Sequence, residues 1–313
     1  CRDYDSGRLD GDLCNRLCYP HINYTVLQFD KAHKHVLTLR LNGQKIVLKM
    51  QQAKFSNFHQ LPLLSDDVYV RKILDTVNAF TGLDWRPNFS HYLLELLYPR
   101  YRRSRHLSPA DKQSLWSLIQ QEEYLALTLF SAARVFPKML GSCGHVYAAE
   151  YVVPFQLDSF FYGPIRSRIL MHLLGTLKLL HDFLNENLHW CDVTFENFGL
   201  HTEYPKRFLI IDADTLYTDT RLNSVFNSMS CEHDSDCVHY DCTAKCIKAT
   251  KRCGKRLNDN VEVFCKKLVY ELYGNFWTRA NKLLETCHNL PKLNTSERIR
   301  SFRFTWAWSM AEV

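Results

Sequence analysis

The stretch Leu188–Leu200, LHWCDVTFENFGL, sets Asp192 and Asn197, with Glu196 beside them, in an otherwise largely apolar and aromatic run. An unpaired carboxylate or amide in a buried segment costs free energy, so such residues either cap their own turn or serve a site. Other places raise the same question. QKIVLKM (Gln44–Met50) is patterned as a strand and carries Lys49 near its end, while RFLIIDADTLY (Arg207–Tyr217) is an apolar run broken by Asp212 and Asp214. The adjacent pair Glu122 and Glu123 lies in a helical pattern. Lysine, carboxylate and carboxamide are groups that bind phosphate, coordinate divalent cations and accept protons.

These residues need elements to position them. TVLQFD, HVLTLRL and QKIVLKM alternate and are rich in β-branched residues, and Asn42-Gly43 between the last two is a type I′ hairpin signal. Residues 25–50 are therefore expected to form three antiparallel strands, with DKAHKH (Asp30–His35) as the first turn. Residues 53–107 form an insert in which Ser65–Phe80, capped by Ser65, and Arg86–Tyr98 are candidate helices. Ser108 as N-cap, Pro109 at the first helical position and Asp111 closing a capping box then predict a helix through Glu122 and Glu123 to near Arg134. HVYAAEYVV (His145–Val153) reads as a strand running into a linker. Pro164–Glu186 reads as a long apolar helix that delivers the chain to Asp192. Val261–Trp277 has a helical pattern.

The ordered set resembles the protein-kinase fold: a strand lysine, a helix glutamate, a D-x4-N loop and an apolar strand ending in aspartate. WCDVTFEN stands where that fold has H-R-D-x4-N, and IIDAD stands where it has the strand into D-F-G. The resemblance implies an α+β, bilobal architecture with a small antiparallel sheet lobe and a larger helical lobe. By the same resemblance, Lys49 holds the phosphates of ATP and is oriented by Glu123, with Glu122 as the alternative. Asp192 is the catalytic residue that accepts the acceptor hydroxyl's proton, and Asn197 and Asp212 hold Mg2+ or Mn2+.

The 313 residues are 46% hydrophobic with a net charge of +6, enough for a sizeable core and too mild a charge to favour nucleic acid as partner. Basic residues cluster at Tyr98–His106 and Lys248–Arg256, as solvated loops or as anion or partner contacts. No run is long and apolar enough to span a bilayer, so the domain itself is expected to be soluble. The first residue is Cys1 rather than Met, which is compatible with a targeting or anchor segment upstream. Of the twelve cysteines, Cys1, Cys14 and Cys18 cluster early and Cys231, Cys237, Cys242, Cys246, Cys253 and Cys265 late, while Cys143, Cys191 and Cys287 stand apart. Their irregular gaps favour disulfides over zinc. Sequons at Asn23, Asn88 and Asn294 agree with a secretory chain.

CRDYDSGRLDGDLCNRLC at the start and CEHDSDCVHYDCTAKC after the Asp212 strand resemble the divergent protein kinase domain 1 family. This resemblance implies a cysteine-rich, kinase-like type II membrane protein of the endoplasmic reticulum, with its domain in the lumen and its signal anchor upstream of Cys1. The expected organisation is a Cys-bearing segment (1–24), a sheet lobe with its insert (25–150) and a helical lobe (151–313) carrying the Cys-rich segment 231–265. There are departures. DKAHKH has no glycine, so Lys31, His33, Lys34 and His35 are the groups that can offer positive charge to phosphate. Trp190 and Cys191 replace His and Arg, and no A-P-E motif follows Asp212. Asp214 replaces the D-F-G glycine, as a second metal carboxylate or a turn cap. No D-x-D-x-D-G occurs in residues 53–107, so calcium is not expected there. The set is compatible with a kinase acting on a hydroxyl of a secreted protein or glycan, with a pseudokinase binding module, and with another transfer such as nucleotidyl transfer.

Overall fold

The computed structural model describes residues 1–19, 24–31, 34–62, 64–157, 163–182, 186–201 and 208–273, with single positions 287, 297 and 300. The chain forms two compact units, Cys1–Val152 and Val153–Val313. His33, the sequons Asn23 and Asn294, and the end of the helical pattern at Trp277 lie outside the described residues. Asn88 is exposed, in a short 3-10 turn at Pro87–Phe89. Among the described residues no helix is long and apolar enough to cross a membrane.

The first unit opens with two short helices, α1 (Arg2–Asp5) and α2 (Cys14–Cys18). Strands β1 (Tyr24–Lys31), β2 (His35–Leu41) and β3 (Gln44–Met50) follow. Asn42 and Gly43 both have positive φ, 51° and 84°, as the type I′ turn between β2 and β3 requires. The insert is helical: α3 (Asp66–Thr81), α4 (Ser90–Leu97) and α5 (Pro99–Ser104). Next comes α6 (Pro109–Ile119), whose Ser108 and Asp111 make the expected capping box.

The single helix expected from Ser108 to near Arg134 is in fact broken. Glu122 and Glu123 lie on a separate helix, α7 (Glu122–Leu129), followed by a 3-10 turn at Ser131–Ala133. Gln121 makes the break: its amide donates to the carbonyls of Ser117 and His145 (3.2 and 2.8 Å) and accepts from the Gln51 N–H (2.9 Å). Strand β4 (Met139–Cys143), which its sequence pattern does not announce, pairs with β5 (Val146–Glu150) to complete a five-stranded antiparallel sheet of order β1-β2-β3-β5-β4.

Alternation along the sheet separates two jobs. Leu39, Leu41, Ile46 and Leu48 pack with Leu9, Leu13 and Cys14 of the N-terminal segment. Lys49, one residue out of step with Leu48, faces the other side. The N-terminal segment is fixed to the sheet by Cys14–Cys143 and by Asp12, which accepts the Ser142 N–H at 2.8 Å. The approach is close enough to require glycine: a Cβ on Gly11 would lie 2.2 Å from the Ser142 carbonyl oxygen.

The second unit begins with β6 (Val153–Pro154) and the long helix α8 (Gly163–Asp182). Strand β7 (Leu188–Trp190) pairs with β10 (Leu216–Thr218), and β8 (Phe198–Leu200) lies between β6 and β9 (Phe208–Ile210). Helix α9 (Asp219–Ser228) leads into a cysteine-rich hairpin sheet of β11 (Val238–His239), β12 (Cys242–Ile247) and β13 (Arg252–Arg256). Helical segments α10 (Asn260–Phe264) and α11 (Tyr270–Tyr273) flank a π-helical turn at Cys265–Val269.

All twelve cysteines are paired: Cys1–Cys18, Cys14–Cys143, Cys191–Cys242, Cys231–Cys246, Cys237–Cys253 and Cys265–Cys287. Part of each basic cluster is engaged within the fold, while Arg103, Lys248, Lys251 and Lys255 are exposed. Arg100 pairs with Asp10 and Asp111, Arg105 with Glu95, and the Arg256 guanidinium bonds His189 and Asn260.

Candidate functional site

In the first unit the sequence-selected charges meet. Sheet register places Lys49 of β3 between Val36 of β2 and Tyr147 of β5. Its ammonium donates to Glu123 Oε1 at 2.5 Å, and both residues are buried. Glu123, not Glu122, makes this pair. The break at Gln121 places the two glutamates in the first turn of α7, where a carboxylate is favoured by the exposed backbone N–H groups.

The second carboxylate oxygen has two further donors. Lys34 bonds Oε2 at 2.8 Å and the Tyr147 hydroxyl bonds it at 2.9 Å. Burial by itself raises the pKa of Glu123. The charges of Lys49 and Lys34, with their hydrogen bonds, more than reverse this and hold it at about 2. The glutamate is therefore an anion at neutral pH, and it fixes two ammonium groups side by side. Lys34 stands immediately before β2, in the turn that lacks glycine. The sequence marked it only as one of four cationic groups near that turn.

In the second unit α8 and β7 lead into the D-x4-N loop. Phe195 and Phe198 are buried, and Trp190 meets Phe198 edge-on at 5.1 Å, so the apolar residues anchor the loop while Asp192 and Asn197 stay partly accessible. The Asn197 amide donates to the Asp192 carbonyl at 2.9 Å and to its carboxylate at 3.1 Å. These bonds turn the amide nitrogen toward Asp192 and its oxygen away, and that oxygen is the atom able to ligate a cation. Phe198 pairs with Ile210 across β8 and β9, and the Ile211 N–H donates to the Asn197 carbonyl at 2.9 Å. Asn197 and Asp212 thus sit at the same end of two paired strands. Asp214 follows Asp212 by two residues, in the turn before β10.

The loop is held from outside by residues that the sequence pattern did not select. Cys191, at the position of the usual arginine, is bridged to Cys242. Next to Cys242, Asp241 accepts the Val193 N–H at 2.8 Å, donates its own N–H to the Cys191 carbonyl at 2.6 Å, and pairs with Lys267 at 2.9 Å. Only a shared disulfide connectivity links these segments in sequence, and spacing does not reveal connectivity.

A model of the family described as the protein-kinase domain of FAM69 matches residues 115–292, more than half of the chain. The chain belongs to that family. It therefore carries a kinase-like domain, and the α+β kinase-like class expected from the sequence holds. Glu123, Asp192, Asn197 and Asp212 fall within the matched residues, whereas Lys34 and Lys49 precede them. Among solved structures the chain is similar to vaccinia related kinase 3, at 13% identity over 90% of this chain and 71% of that one, with a TM-score of 0.36. It is also similar to a double mutant of the Mycobacterium tuberculosis PknI kinase domain, at 13% identity over 66% of this chain and 62% of that one, with a TM-score of 0.28.

Proposed function

We propose that this chain is a secretory-pathway phosphotransferase that uses ATP and Mg2+ or Mn2+ to phosphorylate a hydroxyl group of a secreted protein or glycan. The observation that carries this reading is the buried Lys49–Glu123 ion pair. Two charges are removed from water at a place where an apolar pair would serve packing as well. Phosphoryl transfer needs such fixed charges more than it needs covalent chemistry.

Each unit offers residues chemically suited to part of the group. Lys49 is fixed by Glu123 and bonds phosphate. Asn197, with its amide oxygen turned from Asp192, and Asp212, at the adjoining strand end, supply hard oxygen ligands for a divalent cation. Such a cation would neutralise charge on the phosphates. Asp192 accepts the proton of the acceptor hydroxyl, and the Asn197 amide orients its carboxylate. Six disulfides support folding in an oxidising compartment, in keeping with the endoplasmic reticulum lumen.

A second reading is a pseudokinase that binds nucleotide or a partner without turnover. Two features favour it: the glycine-free turn before β2, and the disulfide-bonded hairpin β11–β13 where a peptide-docking segment would follow Asp212. The test is phosphate transfer to secreted-protein and glycan acceptors by wild type, Asp192→Ala and Lys49→Ala made in secretory cells, read beside nucleotide binding. Asp192→Ala should bind ATP as wild type does and transfer about 10²–10⁴-fold more slowly. Lys49→Ala should lose ATP binding. Undiminished transfer by Asp192→Ala would refute its role, and ATP binding with no transfer across the acceptor panel would favour the pseudokinase.

A further inference from the structure

We propose that Lys34 is a phosphate ligand of the nucleotide site, doing with a side chain what a glycine-rich turn does with backbone N–H groups. The proposal rests on the nucleotide-binding reading above and adds to it the group that replaces the missing glycines. The segment Asp30–His35, DKAHKH, carries no glycine, the residue that lets a backbone approach phosphate most closely. The chain needs another donor there, and the structure shows where one is.

Lys34 and Lys49 bond opposite oxygens of the same carboxylate, at 2.8 and 2.5 Å. Two ammonium groups held in this way are necessarily neighbours, and whatever phosphate Lys49 reaches lies within reach of Lys34. The Lys34 side chain is 15% exposed and leaves the chain immediately before β2, and in kinases the turn between the first two strands is the one that covers the phosphates. Lysine suits the task, because its charge is compact and its flexible four-carbon stem spans a distance that a substituted backbone cannot. An ammonium has three N–H donors, so bonding phosphate does not require Lys34 to give up Glu123. Glu123 and the Tyr147 hydroxyl on the same oxygen thus pre-position Lys34 as well as Lys49.

The experiment is calorimetric binding of ATP, ADP and adenosine, with Mg2+ present throughout, to wild type, Lys34→Ala, Lys34→Arg and Lys49→Ala. Thermal melts without ligand would show that each variant is folded. Lys34→Ala should weaken ATP and ADP by roughly ten- to a hundredfold, the range of a charged hydrogen bond, and leave adenosine unchanged. Lys34→Arg should keep most of the ATP affinity. ATP affinity unaltered by Lys34→Ala but lost in Lys49→Ala would overturn the assignment of Lys34 and leave the site intact. Equal weakening of ATP and adenosine would make Lys34 a structural residue and overturn it too. Absence of ATP binding by wild type would overturn both this proposal and the nucleotide-binding reading beneath it.

Discussion

Glu123→Gln removes one charge and almost no volume, so it isolates what the anion does. In the folded chain the carboxyl is held at about 2, against an ordinary value of 4.5. That difference corresponds to about 3 kcal/mol of stability at neutral pH. Breaking a buried ion pair by deleting one partner costs about 3–5 kcal/mol in general, so two routes agree on the size. The sign follows from the depressed pKa. The contribution is complete above the unfolded value of 4.5 and is lost as pH falls through the folded value of about 2. Urea unfolding of wild type and Glu123→Gln should therefore differ by about 3 kcal/mol near pH 7 and converge toward about pH 2. Other carboxyls protonate in both proteins, and the difference cancels them. A gap that stays constant over that range would mean that Glu123 is not held as an anion by Lys49 and Lys34.

Three further outcomes are expected. Stabilisation by ATP in a thermal-shift titration should appear only with Mg2+ or Mn2+, and Asp212→Ala should abolish the metal-dependent part; equal shifts with and without metal would count against the ligand set. Asp241→Ala removes the acceptor of the Val193 N–H, and a lost buried hydrogen bond costs about 1–3 kcal/mol, so the Val193 amide should exchange faster with solvent while amides of the five-stranded sheet do not change. Non-reducing peptide mapping should recover Cys191 linked to Cys242, Cys231 to Cys246 and Cys237 to Cys253; free thiols with stoichiometric zinc at these positions would contradict the framework.

Local chemistry made part of this architecture legible. Asn42-Gly43 announces its hairpin because few other dipeptides accept two positive φ values in succession. Ser108, Pro109 and Asp111 announce α6 because a capping box is encoded within four residues. What depended on distant partners was not legible. The break at Gln121 exists because His145 and Gln51, far away in sequence, bond its side chain, and without that break helical periodicity cannot decide between Glu122 and Glu123. Ser65 shows the opposite failure: it occupies the N-cap position of α3, yet its side chain makes no capping bond. Lys34 was visible as one cation among four, but only folding singles it out, by bringing β2, β3, β5 and α7 to one carboxylate. Strand β4 was missed because Gly141 and Ser142 weaken its pattern, while its pairing comes from β5 and its anchorage from Asp12 and Cys14.

The bridge from Cys191 to Cys242 gives the loop before Asp192 a dependence on the cell's redox machinery. A loop clamped by side-chain packing alone would take shape wherever the chain folds. This one is also clasped by a covalent bond that forms only after electrons have been removed, and its closure brings Asp241 against the Cys191 carbonyl and the Val193 amide. A chain that has not met an oxidant lacks the clasp beside its proposed catalytic carboxylate, and the loop then rests on its packing and hydrogen bonds alone.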